Sequence, residues 1–162
     1  MKLLISIWIL FCLFVISDAK YFEEGVFSQN DKLLVWFSPT DTICKKNGGK
    51  IDKKKICDAS WDDARRICKK SNARLPTLSE FKGLVSSCFG KNIWLSSDRW
   101  DKVSVENKEN KNYKKCYQKK GFSDDYYWTY NGSNDWWAMT LHLEIGYGKE
   151  AKYSELYVKC VR

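Results

Sequence analysis

Hydrophobic and polar positions alternate in two different rhythms along this chain. From Trp61 the apolar residues recur at helical spacing: Trp61, Ala64, Ile67 and Cys68 fall on one face of "SWDDARRICKKSN". Ser60 is a favourable N-cap, Asp63 puts a carboxylate in the first turn, and Arg65, Arg66, Lys69 and Lys70 approach the negative end of the helix dipole. Asn72 is the expected stop. A second helix follows "RLPTLSEF". Pro76 drives Leu75 out of helical geometry, while Thr77 and Glu80 form a T-x-x-E capping box. Leu78, Phe81, Leu84 and Val85 then make an apolar face, and the helix ends near Ser86–Gly90 with Cys88 at its end.

The second rhythm has period two. "DKLLVWF" (31 to 37) and "NIWLSS" (92 to 97) read as core strands. In "WWAMTLHLEI", Trp137, Met139, Leu141, Leu143 and Ile145 share one face. Trp136, Ala138, Thr140, His142 and Glu144 share the other, which predicts a half-buried strand. A turn at Gly146–Gly148 leads to a last strand over Leu156–Val161. Helices early and strands late predict an α+β domain of small, mostly antiparallel sheets. Two stretches fit neither rhythm and are expected to be loops: residues 45–55, rich in lysine around Gly48 and Gly49, and residues 98–121, rich in Lys, Asn, Asp and Glu.

The chain has 162 residues, enough for one domain after its start is set aside. "MKLLISIWILFCLFVISDA" has Lys2, an apolar run over 3–16 and a small-residue exit, the layout of a signal peptide cleaved after Ala19. The run is too short to span a bilayer comfortably, and no transmembrane span is expected in the mature chain, residues 20–162. The expected location is periplasmic, extracellular or at the cell surface. Cleavage removes Cys12 and leaves Cys44, Cys57, Cys68, Cys88, Cys116 and Cys160. An even count in an exported chain implies a disulfide framework, with every connectivity still open.

Net charge is +8, from 28 Lys and Arg against 20 Asp and Glu. Anionic glycans, lipid headgroups, nucleic acid and acidic proteins are the partner classes such a surface suits. Lys53, Lys54 and Lys55 are the densest run. Tyr113 and Tyr117 are the few aromatics in the second lysine-rich stretch, too few to stack single-stranded nucleic acid.

Catalytic signatures are sparse: there is no G-x-S-x-G, H-E-x-x-H or phosphate-cradling glycine loop. His142, the only histidine, is expected on the surface without a task. No catalytic residue, metal or cofactor is assigned. "NGSNDWW" offers Asn131, Asn134 and Asp135 as oxygen donors, but calcium takes about 6–8 oxygens, so turn formation accounts for them better. Within the aromatic group around this turn, Trp128 and Trp137 are assigned to the core. Tyr130 and Trp136 are assigned to the surface. The candidate ligand-binding residues are therefore Tyr130, Asn131, Asn134, Asp135 and Trp136, together with Lys53, Lys54 and Lys55.

The order of these pieces carries a resemblance. Asp31, Leu33 and Trp36 form D-x-L-x-x-W. Ser60, Trp61, Ala64 and Cys68 follow, then Arg74 to Glu80 as R-L-P-T-x-x-E. Tyr127 to Thr129, Trp136 with Trp137, and a terminal V-K-C-V-R complete the series. Together they resemble the domain of unknown function at the C-terminus of the Legionella collagen-like adhesin, over about Asp31 to Arg162. The resemblance implies a C-type-lectin-like fold related to formylglycine-generating enzymes, with paired terminal strands, two helices flanking a small sheet and a long variable loop region. It also implies a Cys68–Cys160 bridge. Cys44–Cys57 and Cys88–Cys116 are then assigned by proximity and loop closure. The function so implied is a non-catalytic binding or adhesion domain of a bacterial cell envelope, with a polyanionic glycan or a protein as ligand. The alternatives are an enzyme or enzyme accessory related to formylglycine-generating proteins, and a periplasmic inhibitor or structural protein.

Overall fold

A computed structural model describes residues 26–29, 32–90, 106–132 and 134–162. The signal segment expected over residues 1–19, Asp31, the strand expected at 92–97 and the start of the second lysine-rich stretch lie outside the described residues. The chain is α+β, and its described strands form two small sheets. Strands β1 (Val26–Gln29), β2 (Lys32–Phe37) and β9 (Cys160–Val161) form one, in the order β1-β2-β9. The other has the order β3-β4-β8-β5-β6-β7. Its strands are β3 (Lys50–Ile51), β4 (Cys57–Ala59), β5 (Tyr126–Gly132), β6 (Trp137–His142), β7 (Gly146–Ala151) and β8 (Leu156–Tyr157). The described helices include α1 (Asp41–Lys46), α2 (Trp61–Lys70), α3 (Leu78–Ser87) and α4 (Lys111–Lys119).

Both expected helices form where their caps put them. The Ser60 hydroxyl accepts from Asp63 N, and Trp61, Ala64, Ile67 and Cys68 are the buried stripe of α2. Ser71 caps the end, and Asn72 then adopts φ +54°, the left-handed conformation that asparagine tolerates. At α3, Thr77 Oγ1 accepts from Glu80 N at 3.2 Å, and Thr77 N donates to Glu80 Oε2 at 2.7 Å. Arg74 reaches the same carboxylate with two nitrogens at 2.8 and 2.5 Å, so the box is braced from outside the helix.

Two apolar clusters lie on opposite sides of the strands. Trp36, Phe81, Leu84, Tyr127, Leu141, Tyr157 and Val161 belong to one. Phe37, Trp61, Ile67, Leu75, Trp128, Ala138, Val158 and Cys160 belong to the other. The adjacent pairs Trp36–Phe37, Tyr127–Trp128 and Tyr157–Val158 therefore send one side chain to each cluster, as period-two geometry requires of a strand covered on both faces. Two buried indoles find backbone acceptors, Trp128 Nε1 donating to Ala59 O at 2.7 Å and Trp61 Nε1 to Thr129 O at 2.8 Å, whereas Trp36 Nε1 is buried with no acceptor among the described residues.

Several expectations are corrected. The strand over 136–145 is shorter, ending at His142, with a turn over 143–145. It is not half-buried, because Thr140, His142 and Glu144 on the supposed solvent side are covered. The last strand splits at Val158–Lys159 into β8 and β9, which join different sheets; Lys159 is buried and donates to Ser38 Oγ at 2.8 Å. The lysine-rich stretches are not simple loops either. Residues 45–55 begin inside α1 and continue into the β3–β4 hairpin, while residues 111–119 of the second stretch form α4.

Three disulfides fasten the frame: Cys44–Cys57, Cys68–Cys160 and Cys88–Cys116. The first ties α1 to β4. The second ties the last turn of α2 to the final strand. The third docks α4 on the end of α3, where the buried Tyr113 and Tyr117 rings enter the first cluster. These two tyrosines offer no face to a base.

Candidate functional site

The β5–β6 hairpin is irregular in a way that sets the surface around it. Trp128 pairs with Thr140 and Gly132 with Ala138, so five residues of β5 span three of β6. Such a bulge bends its strand and re-aims side chains. Here Tyr130 N donates to Pro76 O at 2.7 Å, and Leu78 N donates to Asn131 Oδ1 at 3.1 Å. The bulge is thus clamped to the loop that starts α3, and Tyr130 stands half exposed beside it.

Across the turn, Asn134 Oδ1 accepts from both Trp136 N and Trp137 N at 2.9 Å. The carboxamide oxygens of Asn131 and Asn134 therefore hold backbone, and Asp135 is exposed beside them. Among the described residues no group of three or more His, Cys, Asp or Glu is placed to hold a metal ion. Trp136 is 74% exposed, as its position beside the turn predicts. Trp137, expected in the core, is 44% exposed: it starts β6 beside the β5–β6 turn and pairs with Ala151 at the open end of the β6–β7 hairpin, outside both clusters. Lys152 N donates to Trp136 O at 3.0 Å, which brings the turn carrying Tyr153, 81% exposed, against the same tip.

Lys53, Lys54 and Lys55 sit at the exposed turn of the β3–β4 hairpin, away from that tip. Acids surround them. Lys50 Nζ lies 2.6 Å from Glu155 and Lys54 Nζ 3.7 Å from Asp125, and the Tyr157 hydroxyl donates to Asp52. Burial, followed by the charges of Glu155, Asp52 and Asp125, raises the pKa of Asp58. Asp52, Asp58, Asp125 and Glu155 thus lie among the lysines of this hairpin and offset part of their charge.

His142 is buried, not on the surface. Its Nδ1 accepts from Glu144 N at 3.2 Å and Ile145 N at 3.3 Å, and Nε2 lies 3.0 Å from Asp124 Oδ1. Burial lowers its pKa, against the opposing pull of Asp124 and Glu144. Glu144, also buried, accepts from the Tyr117 hydroxyl at 2.6 Å and pairs with Lys114 at 3.0 Å. Burial and this carboxylate raise the Tyr117 pKa. The set joins α4 to the β6–β7 turn. With Nδ1 accepting from backbone N–H groups, the imidazole is a structural acceptor.

The sequence reading missed the outer flank of α2. Arg65 lies 4.6 Å and Lys152 Nζ 4.4 Å from the Trp61 ring. Beyond them a hollow of about 280 Å³ opens between α2 and the bulge, lined by Arg65, Arg66, Lys69, Arg74, Leu75 and Tyr130, with Asp62 at its edge. An adjoining hollow of about 440 Å³ shares Lys69 and Arg74 and adds Arg162. The available signal was the spacing of Arg65 and Lys69, four apart on the polar side of an amphipathic helix. No protein-family model matches the chain, and no curated protein sequence matches it.

Proposed function

We propose that this chain is an exported, non-catalytic binding domain of C-type-lectin-like architecture that acts at a bacterial cell envelope, with an anionic glycan as its ligand. The observation that carries the reading is the β5–β6 tip, which displays Tyr130, Trp136, Trp137 and Tyr153 on a frame fastened by three bridges. Large aromatic surfaces left in water are a mark of recognition sites, and rigid support lowers the entropy lost on binding.

Other features support it. The first described strands pair with the last, β2 with β9, and two capped helices lie against the strands, the arrangement expected from the resemblance to the collagen-like adhesin domain. Bridges of this density suit an oxidising compartment, which fits the signal-like start. All six described cysteines are paired, so the thiol chemistry of formylglycine-generating enzymes has no described sulfur to use.

The test is a binding screen of the secreted, oxidised chain against acidic and neutral glycans and envelope extracts, run beside a free-thiol assay. Retention of acidic glycans, released by salt, with no reactive thiol is the expected result. A reactive cysteine pair, or no retention of any glycan at low ionic strength, would overturn the reading.

A further inference from the structure

We infer that the hollow between α2 and the β5 bulge holds an acidic sugar unit: a single sugar ring bearing a carboxylate, sulfate or phosphate. The inference rests on the binding-domain reading above and gives it a place and a ligand class.

Charge comes first. Arg65, Arg66, Lys69 and Arg74 line this hollow with Asp62, and although Arg66 is paired with Asp63 and Arg74 with Glu80 just outside it, Arg65 and Lys69 leave the cations in excess; the lining of its neighbour includes no Asp or Glu. Lys69 lies in both and makes no ion pair among the described residues. Besides its contact with the Trp61 ring, Arg65 makes one ion pair among the described residues, an exposed contact of 4.0 Å to Asp62 that water and salt weaken. The lysine hairpin has more cations in sequence but meets Glu155, Asp52 and Asp125 in space.

Preorganisation comes second. Arg74 is fixed by Glu80 and by Leu75 O, bonds that use three of its N–H donors. The rest of the fork remains for an oxyanion. Tyr130 faces the same space, its backbone pinned to Pro76, and its ring next to these donors gives the mixture of flat apolar surface and directed polar groups that sugar recognition uses. Leu75, fully buried, contributes an apolar floor.

Size and shape choose among anionic ligands. A hollow of about 280 Å³ is near the lower bound of small-molecule sites, enough for one ring and its acid group. One aromatic residue cannot stack successive bases.

The experiment uses the native disulfide-bonded chain and four probes: a heparin-derived tetrasaccharide, an oligogalacturonate, a neutral dextran oligomer and polyglutamate. Inorganic sulfate serves as the free-ion arm. Binding of either acidic oligosaccharide should weaken at least about tenfold in Arg65→Gln/Lys69→Gln and in Tyr130→Ala. It should change by no more than about twofold when Lys53, Lys54 and Lys55 all become Gln. On the unmutated chain, the oligosaccharide should protect Lys69 from acetylation and leave Lys53 to Lys55 reactive, a readout that does not depend on how a variant folds. If binding persists while Lys69 stays unprotected, or is lost only with the hairpin lysines, the site is wrong and the binding-domain reading stands. Equal binding of polyglutamate, or saturation by sulfate alone, refutes the sugar class. Failure of the native chain to bind any glycan sinks both.

Discussion

Opening the Cys68–Cys160 bridge should destabilise the protein more than opening Cys44–Cys57. The two pairs are separated by 92 and 13 residues. The Cys88–Cys116 bridge, spanning 28, is nested inside the long loop and shortens it to an effective length of about 64. In the chain-entropy relation a loop of about 64 corresponds to about 4.3 kcal/mol and one of 13 to about 2.9 kcal/mol. All four cysteines are buried, so substituting each pair by alanine leaves comparable vacancies, and the packing losses cancel to first order in the comparison. Urea denaturation of Cys68→Ala/Cys160→Ala and of Cys44→Ala/Cys57→Ala should therefore give midpoints lower than the parent's. The first pair should lose about 1.4 kcal/mol more than the second. A larger loss for the short loop would refute the reasoning and place the stabilisation in native contacts around α1 and β4. Measuring m in both variants checks the premise that the gain lies in the unfolded chain.

Thr77→Ala should cost about 1 kcal/mol in thermal or urea unfolding, since it removes one half of the capping box. Glu80→Ala should cost more, because the same carboxylate also holds Thr77 N and Arg74. The native pKa of His142 is depressed, so the unfolded chain takes up a proton near pH 6.5 that the native imidazole refuses. Stability from this group is complete above about pH 6.5 and is lost as pH falls, with a slope of no more than about 1.4 kcal/mol per pH unit. A flat urea midpoint between about pH 7.5 and 5 would contradict it. Gly49→Ala should destabilise by about 1–3 kcal/mol, since a β-carbon there would meet Cys44 Sγ at 2.6 Å and Ile67 Cδ1 at 3.0 Å; an unchanged Tm would show that this corner relaxes.

Local chemistry made both flanking helices legible. Ser60 and the T-x-x-E box mark starts that depend only on residues within one turn, and the apolar stripes of α2 and α3 follow from the helical repeat. The adjacent apolar pairs in β2, β5 and around β8 were also visible, and their meaning as two-faced strands could have been drawn from them. The sequence also determined that Tyr130 and Trp136 flank a turn and that six of its seven cysteines lie beyond the apolar start.

Tertiary structure decided what depends on residues far apart. His142 and Glu144 look solvent-facing by alternation, but Glu144 is covered by Tyr117 and Lys114 of α4, and His142 is closed in by Asp124 and the Tyr126 ring. Trp137 looks apolar enough for a core, yet it lies at the hairpin end beyond either cluster. Counting lysines pointed to residues 53–55, whereas the field at a point depends on the acids brought close to it, and these come from residues 125 and 155. The hollow beside α2 is assembled from helix, loop and bulge: Arg65 and Lys69, Arg74, and Tyr130. Charge and ring chemistry are properties of single residues and can be read in order. Their convergence on one hollow is set by a bulge and a clamped loop, which the order of residues does not display.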